Sequence, residues 1–427
     1  MEYNLNWKEK ILSDESIEKI DYREYNPHQG VNLNTVGDIR ISIHNQDQFI
    51  LPSRSYLYIE GLLTPEEDGT YDKNESGIAL VNNALMYLFD RVGYQIDNKT
   101  IESFSNPGIA TTMKSLVTYP LKYTEGMKFF WYPDNNVVID NNNGFKARCN
   151  FTFDGENAGN FSAVIPLSHI FGFCENYDKV MYGMKHEINL HRSLDNDAIY
   201  KSSEQENGVD KVSDGKIELS KVSWRMPYLK VSDEYKIELY KDIQNKVELG
   251  VNFLNRQFES IDVPHGITEF DWRLSLAVGA EKPRYILLAL QTNRTNDQTK
   301  NNSNFDHCNI KNAFVELNSE RYPETDLNLS FDKGLYATAY NMLTDYFNEV
   351  IGKVSCPVKF YQFKTMYPIL VFDVSRQSER LKNSVTDIKI RMNFSKAIPV
   401  ATKAYGLILS DRHLKLEADG LKMNIVY

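Results

Sequence analysis

His307 and Cys308 are the only adjacent histidine and cysteine in the chain. A thiolate nucleophile needs a base in contact with it and a third group to orient that base. Their surroundings read as strand, where neighbouring side chains point to opposite faces, so the pair is poorly placed for catalysis. His186 and His191 stand five apart. On a regular strand they also face opposite ways, which disfavours a shared metal ion. The carboxylates of Glu66, Glu67 and Asp68, and of Glu324 with Asp326, fall in turn-forming stretches. Glycoside hydrolysis needs two converging carboxylates; these read as solvated loop charge. Lys382, Lys389, Arg391 and Lys396 form a basic cluster. It reads as the wet face of a strand, with contact to DNA or to a neighbour's acidic rim as the alternative. Gly208 and Gly215-Lys216 lack phosphate-loop spacing, and Ile217 follows the lysine. No His-Glu-x-x-His helix and no Gly-x-Ser-x-Gly elbow occurs. The expectation is a protein with no catalytic, cofactor-binding or metal-binding residues, and not an enzyme.

The elements that would carry these residues are mostly strands. Ile388, Ile390, Met392 and Phe394 alternate with Asp387, Lys389, Arg391 and Asn393, the period of a strand with one buried face. Tyr405–Leu409 is a nearly continuous apolar run, and Leu421, Met423 and Ile425 alternate at the C-terminus. Four blocks near residues 166, 188, 220 and 231 echo blocks near 368, 388, 395 and 409 in the same order. That suggests one β domain built twice, each copy with its own interior.

Taken in order, residues 1–30 read as an arm, with Trp7, Ile11, Leu12, Ile17 and Ile20 on a short amphipathic helix. Strands follow at Asp38–His44, Ser55–Leu63 and Leu88–Asp97. Pro107–Val117 has the proline of a helix start, with Asn106 as its cap. Residues 133–160 read as an Asn- and Gly-rich insertion. Phe161–Phe173 and Glu187–His191 read as strands, and 195–215 as an exposed polar loop. Ile217–Tyr240 supplies the last strands of the first half, with Tyr235, Ile237 and Leu239 on one face. In the second half, Phe270, Trp272, Leu274 and Leu276 alternate with polar residues. Arg284–Thr292 is apolar enough to be buried on both faces, and Gln291–Asp306 is a polar loop. Ala313–Leu317 reads as strand and Leu335–Ile351 as helix, with Leu335, Leu343, Tyr346 and Phe347 inward.

A chain of 427 residues exceeds one ordinary core. The expected division is an arm over 1–30, a first sandwich over 31–245 and a second over 246–427. Strands without βαβ alternation imply an all-β fold with minor helices: two tandem eight-stranded antiparallel jelly-roll sandwiches. The formal charge of −10 argues against a broad basic surface for nucleic acid. Cys149, Cys174, Cys308 and Cys356 show no metal spacing and read as free thiols of a reducing compartment. The N-terminus lacks a secretory pattern, and no apolar run reaches membrane-spanning length.

Glu281–Thr292, Phe305–Ile310, Leu317–Pro323, Pro368–Gln377 and Tyr405–Arg412 resemble segments of the double jelly-roll capsid proteins. That family is encoded by Polinton/Maverick-like and adinto-like elements and by related DNA viruses. The resemblance is strongest over 245–427. It implies a major capsid protein located in the virion: a homotrimer whose six jelly rolls form a pseudo-hexagonal capsomer. Such capsomers tile an icosahedral shell around double-stranded DNA, with penton and minor capsid proteins as further partners. The alternatives are a tandem carbohydrate-binding module, using aromatics such as Phe129, Phe130, Trp131 and Tyr132, and a glycoside hydrolase. Those four aromatics also suit a core or a subunit interface.

Overall fold

The structure, a computed structural model, describes residues 16–44, 48–66, 70–71, 77–120, 129–206, 209–210, 212–245, 249–275, 281–352, 355–377, 387–419 and 422–426. Four alternating strands make the first sheet of the first half, in the order Ile17–Tyr25, Gly215–Val231, Tyr56–Pro65 and Asn160–Pro166. Short pairings through Phe49–Ile50 and Met181–Tyr182 extend it at one end. The facing sheet runs Gly37–His44, Lys185–Arg192, Phe89–Ile96 and Lys99–Ser105. The second half repeats this. One sheet runs Leu249–Val263, Thr402–Asp419, Lys282–Thr292 and Leu370–Asp373; the other runs Glu269–Leu274, Ile388–Phe394, Ile310–Leu317 and Glu320–Tyr322. In both halves the strand order is first, eighth, third, sixth in one sheet and second, seventh, fourth, fifth in the other. All of these pairings are antiparallel. That order, twice over, is the jelly roll.

Alternation places the core. Ile388, Ile390, Met392 and Phe394 are buried while the residues between them are half-buried, and Leu57 and Ile59 face inward. The run from Tyr285 to Leu290 is buried without alternation, as its composition requires. His186 and His191 lie on opposite faces of Lys185–Arg192. The helix Ala337–Ile351 buries Leu343, Tyr346 and Phe347, but Leu335 precedes it and is exposed.

Several expectations are corrected. Ile17 and Ile20 belong to a strand paired along Gly215–Val231, not to a helix; Trp7, Ile11 and Leu12 lie outside the described residues. Tyr235, Ile237 and Leu239 sit on the helix Asp233–Gln244: spacing of two across four residues does not outweigh a run rich in helix formers behind two acidic first-turn residues. Asn106 precedes Pro107–Leu116 in a left-handed conformation (φ 47°), and its side chain makes no cap bond. The insertion 133–160 contains the helix Asn143–Phe153, capped by Asn142, whose side chain accepts from the Phe145 N–H at 3.1 Å. The strand expected over 161–173 stops at Pro166 and gives way to two helical turns. The loop 195–215 is not simply exposed: Ala198, Ile199 and Lys201 are buried, and Ile199–Lys201 pairs with Ile78–Leu80. Leu276 and Leu421 fall outside the described residues. The strand Leu249–Val263 was not anticipated.

The repeat is real in topology but mostly misaligned in the sequence echoes. Glu187–Leu190 and Asp387–Ile390 do occupy matching strands. Ser220 lies within a strand of one sheet, whereas Ser395 follows a strand of the other. Leu229 and Leu407 share the same relative strand, but Gly215 pairs with Pro65 as Thr402 pairs with Thr292. The true offset at that end is therefore 402 − 215 = 187, not 178.

The two halves do not keep separate interiors. Apolar contact runs from one into the other, as where Phe173 meets Phe253 edge to face at 5.6 Å. The join is close: a Cβ on Gly172 would sit 1.9 Å from the Leu254 carbonyl oxygen. Gly172→Ala is expected to force backbone apart at this point, at a cost of about 1–3 kcal/mol. A thermal melt reads it as a lower transition temperature, with the same change at exposed Gly250, where a Cβ would meet nothing, as the control.

Candidate functional site

The seam between the sandwiches is where the chain concentrates its buried polar groups. Three clusters line it. The first is built on Arg256, which is 2% exposed. Its guanidinium donates to the carbonyls of His169 (2.6 Å), Ile170 (2.5 Å) and Ser168 (3.1 Å) and to the Glu175 carboxylate (2.6 Å). Lys114 pairs with the other Glu175 oxygen. Glu102, fully buried, accepts from the backbone N–H groups of Phe173 and Arg256, each at 3.1 Å. One carboxylate thus ties both halves together through main chain.

Burial raises the Glu102 carboxyl, and the nearby Arg256 opposes it. Burial also pushes Glu175 up, but Lys114 and Arg256 overcome this and hold it at about 2. Lys114 falls to about 8, because burial outweighs its pairing with Glu175. His169 is driven well below its ordinary value by burial and by the cations Arg256 and Lys114. It is therefore a neutral ring bridging Tyr119 and Asn83 at 2.8 and 2.9 Å.

The second cluster surrounds Asp134, which is 1% exposed. Its carboxylate takes Arg148 at 2.7 Å and Asn142 at 2.7 Å from the first half, and Asn301 at 2.7 Å from the second. Tyr367 donates to the Asp134 carbonyl at 2.9 Å. The third cluster is the loop after Lys282–Thr292, which plugs into the first sandwich. Gln298 makes a reciprocal pair with the Gly215 backbone at 2.7 and 2.8 Å. Asn302 reaches Asp197 at 3.1 Å, and its carbonyl accepts from Tyr87 at 2.9 Å. Asn301, Asn302, Ser303 and Asn304 are buried. Their composition reads as an exposed loop; only the groups they meet, far away in sequence, explain their burial.

The residues singled out for chemistry are not brought together. His307 and Cys308 lie in a turn, not a strand, and Cys308 is left-handed (φ 43°). His307 stacks on Phe331 at 4.3 Å, and its Nδ1 accepts from the Asn309 N–H at 2.9 Å. Burial pushes the Cys308 thiol up to about 11, the wrong direction for a nucleophile. His186 is fully buried against the Tyr94 hydroxyl at 2.8 Å, and burial lowers it to about 3. His191 pairs with Asp38 at 2.8 Å. Asp326 is held low by hydrogen bonds from Arg321 and Asn312, and Glu324 is exposed beside it. Of the acidic triplet, Glu66 alone is described, and it is exposed. Among the basic residues, Lys389 pairs with Asp271 at 3.0 Å, Arg391 with Glu316 at 3.1 Å and Lys396 with Asp332 at 2.6 Å. Lys382 lies outside the described residues. Among the described residues, no group of His, Cys, Asp and Glu is placed to hold a metal ion.

Phe129, Phe130 and Trp131 are buried within the chain, against Phe151, Phe161 and His169. They form neither a glycan platform nor a free subunit interface. The seam clusters were missed in the sequence because their members are scattered over more than two hundred residues. The Asn-rich character of 293–304 was the one available signal.

A family model described as a double jelly roll-like domain matches residues 78–414. No curated protein matches the sequence. Among solved structures, the mavirus major capsid protein is 10% identical, with 99% of this chain and 93% of that one covered and a TM-score of 0.58. A chain of the Sputnik virophage is 9% identical, with 99% and 91% covered and a TM-score of 0.64. A chain of the PBCV-1 virus capsid is 10% identical, with 98% and 99% covered and a TM-score of 0.56. Identities this low carry the fold.

The seam makes two quantities measurable. Asp134→Asn leaves the Arg148 guanidinium buried without its counter-charge, an expected loss of about 3–5 kcal/mol, read by chemical denaturation. Glu175 is held low, so its stabilisation is present above the ordinary carboxylate value of 4.5 and lost as pH falls toward 2. Glu175→Gln is expected to flatten the stability profile across that acid window, which melting curves at stepped pH resolve.

Proposed function

The chain belongs to the double jelly roll-like domain family, and on that footing we propose that it is a major capsid protein, a non-enzymatic building block of an icosahedral virion. The observation that carries this reading is the geometry itself. Two jelly rolls are locked side by side by a seam of buried ion pairs and hydrogen bonds that reach from one to the other, so the chain behaves as one rigid block with two similar sides. A three-fold assembly of such blocks presents six sandwiches and fills a six-sided lattice position with closed symmetry. The boundary between sandwiches falls near residue 245, between the helix Asp233–Gln244 and the strand Leu249–Val263.

The rest of the reading follows from that unit. Its partners are further copies of itself, then neighbouring capsomers, with penton and minor capsid proteins completing the shell around double-stranded DNA. The protein is made in a reducing intracellular compartment and ends in the virion; its four cysteines are unpaired thiols. Lys389 and Arg391 are matched by Asp271 and Glu316 on the same sheet, which supports packaging without sequence-specific grip on DNA. Glu102, the buried acid a hydrolase reading would need, has its oxygens taken by backbone N–H groups, so it is a structural anchor.

The test is the oligomeric state of the purified full chain by mass photometry and negative-stain microscopy. The expected result is particles of three times 49.4 kDa with a six-sided outline, or closed shells. A strict monomer over a wide range of concentration and salt overturns the proposal.

A further inference from the structure

One end of the second sandwich holds an open pocket of about 580 Å³. Its walls come from the loop that joins Lys282–Thr292 to Ile310–Leu317, from the helix Phe360–Thr365 and, at Pro399, from the loop before Thr402–Asp419. Arg294, Lys300 and Lys364 line it against a single carboxylate, Asp306. The lining therefore carries an excess of two positive charges, in a chain whose formal charge is −10. Neither lysine makes an ion pair among the described residues. Asp297, the acid nearest Lys300 in sequence, turns its carboxylate to the Thr299 N–H and hydroxyl at 2.9 and 2.6 Å. The neighbouring Lys396 and Asp332 neutralise each other at 2.6 Å.

Two of the donors are fixed before any ligand arrives. Arg294 lays its Nε and one terminal nitrogen along the Asp306 carboxylate, at 3.1 and 2.5 Å, and gives its other terminal nitrogen to the Asn301 carbonyl at 3.1 Å. A guanidinium has five N–H groups, so one remains on each terminal nitrogen. His307 is held parallel to Phe331. Its Nδ1 accepts from the Asn309 N–H, so the ring proton sits on Nε2, and that N–H has no partner among the described residues. Burial and Lys364 lower the ring's affinity for a second proton. The pocket thus combines two rigid donors with two free ammonium groups. Charge spread along a strand face is usually just solvated; this charge is gathered in a concavity.

We infer that this pocket binds the phosphate group of a small phosphorylated molecule. A phosphate monoester carries about −1.5 to −2 at neutral pH, which matches the excess charge; a carboxylate carries half of that. The two free N–H groups of Arg294 suit phosphate oxygens. The volume is of the class that holds small ligands, and Phe305 and Pro399 offer an apolar wall to the body that carries the phosphate. A DNA backbone would call for cations in a row along a surface, and here they converge on one point. The inference needs only one copy of the chain and stands apart from the capsid reading.

The test is isothermal titration calorimetry on the full chain at constant ionic strength. The probes are inorganic phosphate, adenosine monophosphate, adenosine and a short DNA duplex. The expected result is saturable binding of phosphate, with the monophosphate competing for the same site and adenosine silent. The double variant Lys300→Gln/Lys364→Gln is expected to weaken both ligands about tenfold or more with the melting temperature unchanged. Lys179→Gln, at an exposed position of the first sandwich, is expected to bind as the wild type does. Four results overturn the inference: no saturable binding of either phosphate probe, an affinity unmoved by the double variant, phosphate that the monophosphate does not displace, or a duplex that takes the site at lower concentration than the monophosphate. Each of them leaves the capsid reading as it stands.

Discussion

Two β sandwiches can lie against each other without water only if every polar group trapped between them finds a partner. In this chain the demand is concentrated on Arg256. A guanidinium offers five donors in a fixed plane, and here four contacts reach three successive backbone carbonyls and one carboxylate. The carbonyls belong to the turns after Asn160–Pro166, where a helix too short to satisfy itself leaves acceptors open. The arginine sits on the second sandwich and the acceptors on the first. The join therefore completes the hydrogen bonding of both sides, and neither sandwich is finished without the other. Asp134 plays the reciprocal part from the first half, drawing Asn301 and Ser303 of the second into its shell.

This coupling explains the contrast between the two central sheets. The second half's third strand reads Tyr285-Ile286-Leu287-Leu288-Ala289-Leu290 because both of its faces are covered. The first half's third strand reads Tyr56-Leu57-Tyr58-Ile59-Glu60-Gly61 because only one is. The topology of the repeat is the same; the environment differs, and the side-chain pattern follows the environment. Gly172 marks the tightest approach of the two backbones, where no side chain fits.

The fold class was legible because strand alternation is a local signal. Ile388 to Phe394 and Leu57 with Ile59 needed no knowledge of their partners. The continuous run near Leu287 also declared its two-sided burial. What could not be read was polarity satisfied at long range. Asn301, Ser303 and Gln298 look like loop residues until Asp134 and the Gly215 backbone stand beside them. Tyr235 and Ile237 were misread because spacing of two over four residues also fits a helix flank. The strand Leu249–Val263 was hidden for a related reason: Asn255 and Arg256 are buried in it, so polar residues occupy positions where alternation would place apolar ones. The echoes of the repeat failed in register because equivalent strands keep hydrogen-bond order without keeping side chains.

The same network bears on what its titratable groups are free to do. Four perturbed groups that stand close together at the seam, Glu102, Lys114, His169 and Glu175, would elsewhere suggest an active site. Here each has its capacity spent on a neighbour: Glu102 on two backbone N–H groups, Glu175 on two cations, His169 on Tyr119 and Asn83. A proton-transfer group needs a vacant partner position at the reacting atom, and these have none to offer. Apolar packing alone could hold the sandwiches with less desolvation, but it would tolerate sliding. A carboxylate that must meet an arginine on one side and an asparagine on the other accepts one register. On the capsid reading, where one geometry repeats at every lattice position, a fixed register matters more than the free energy lost in burying the charges.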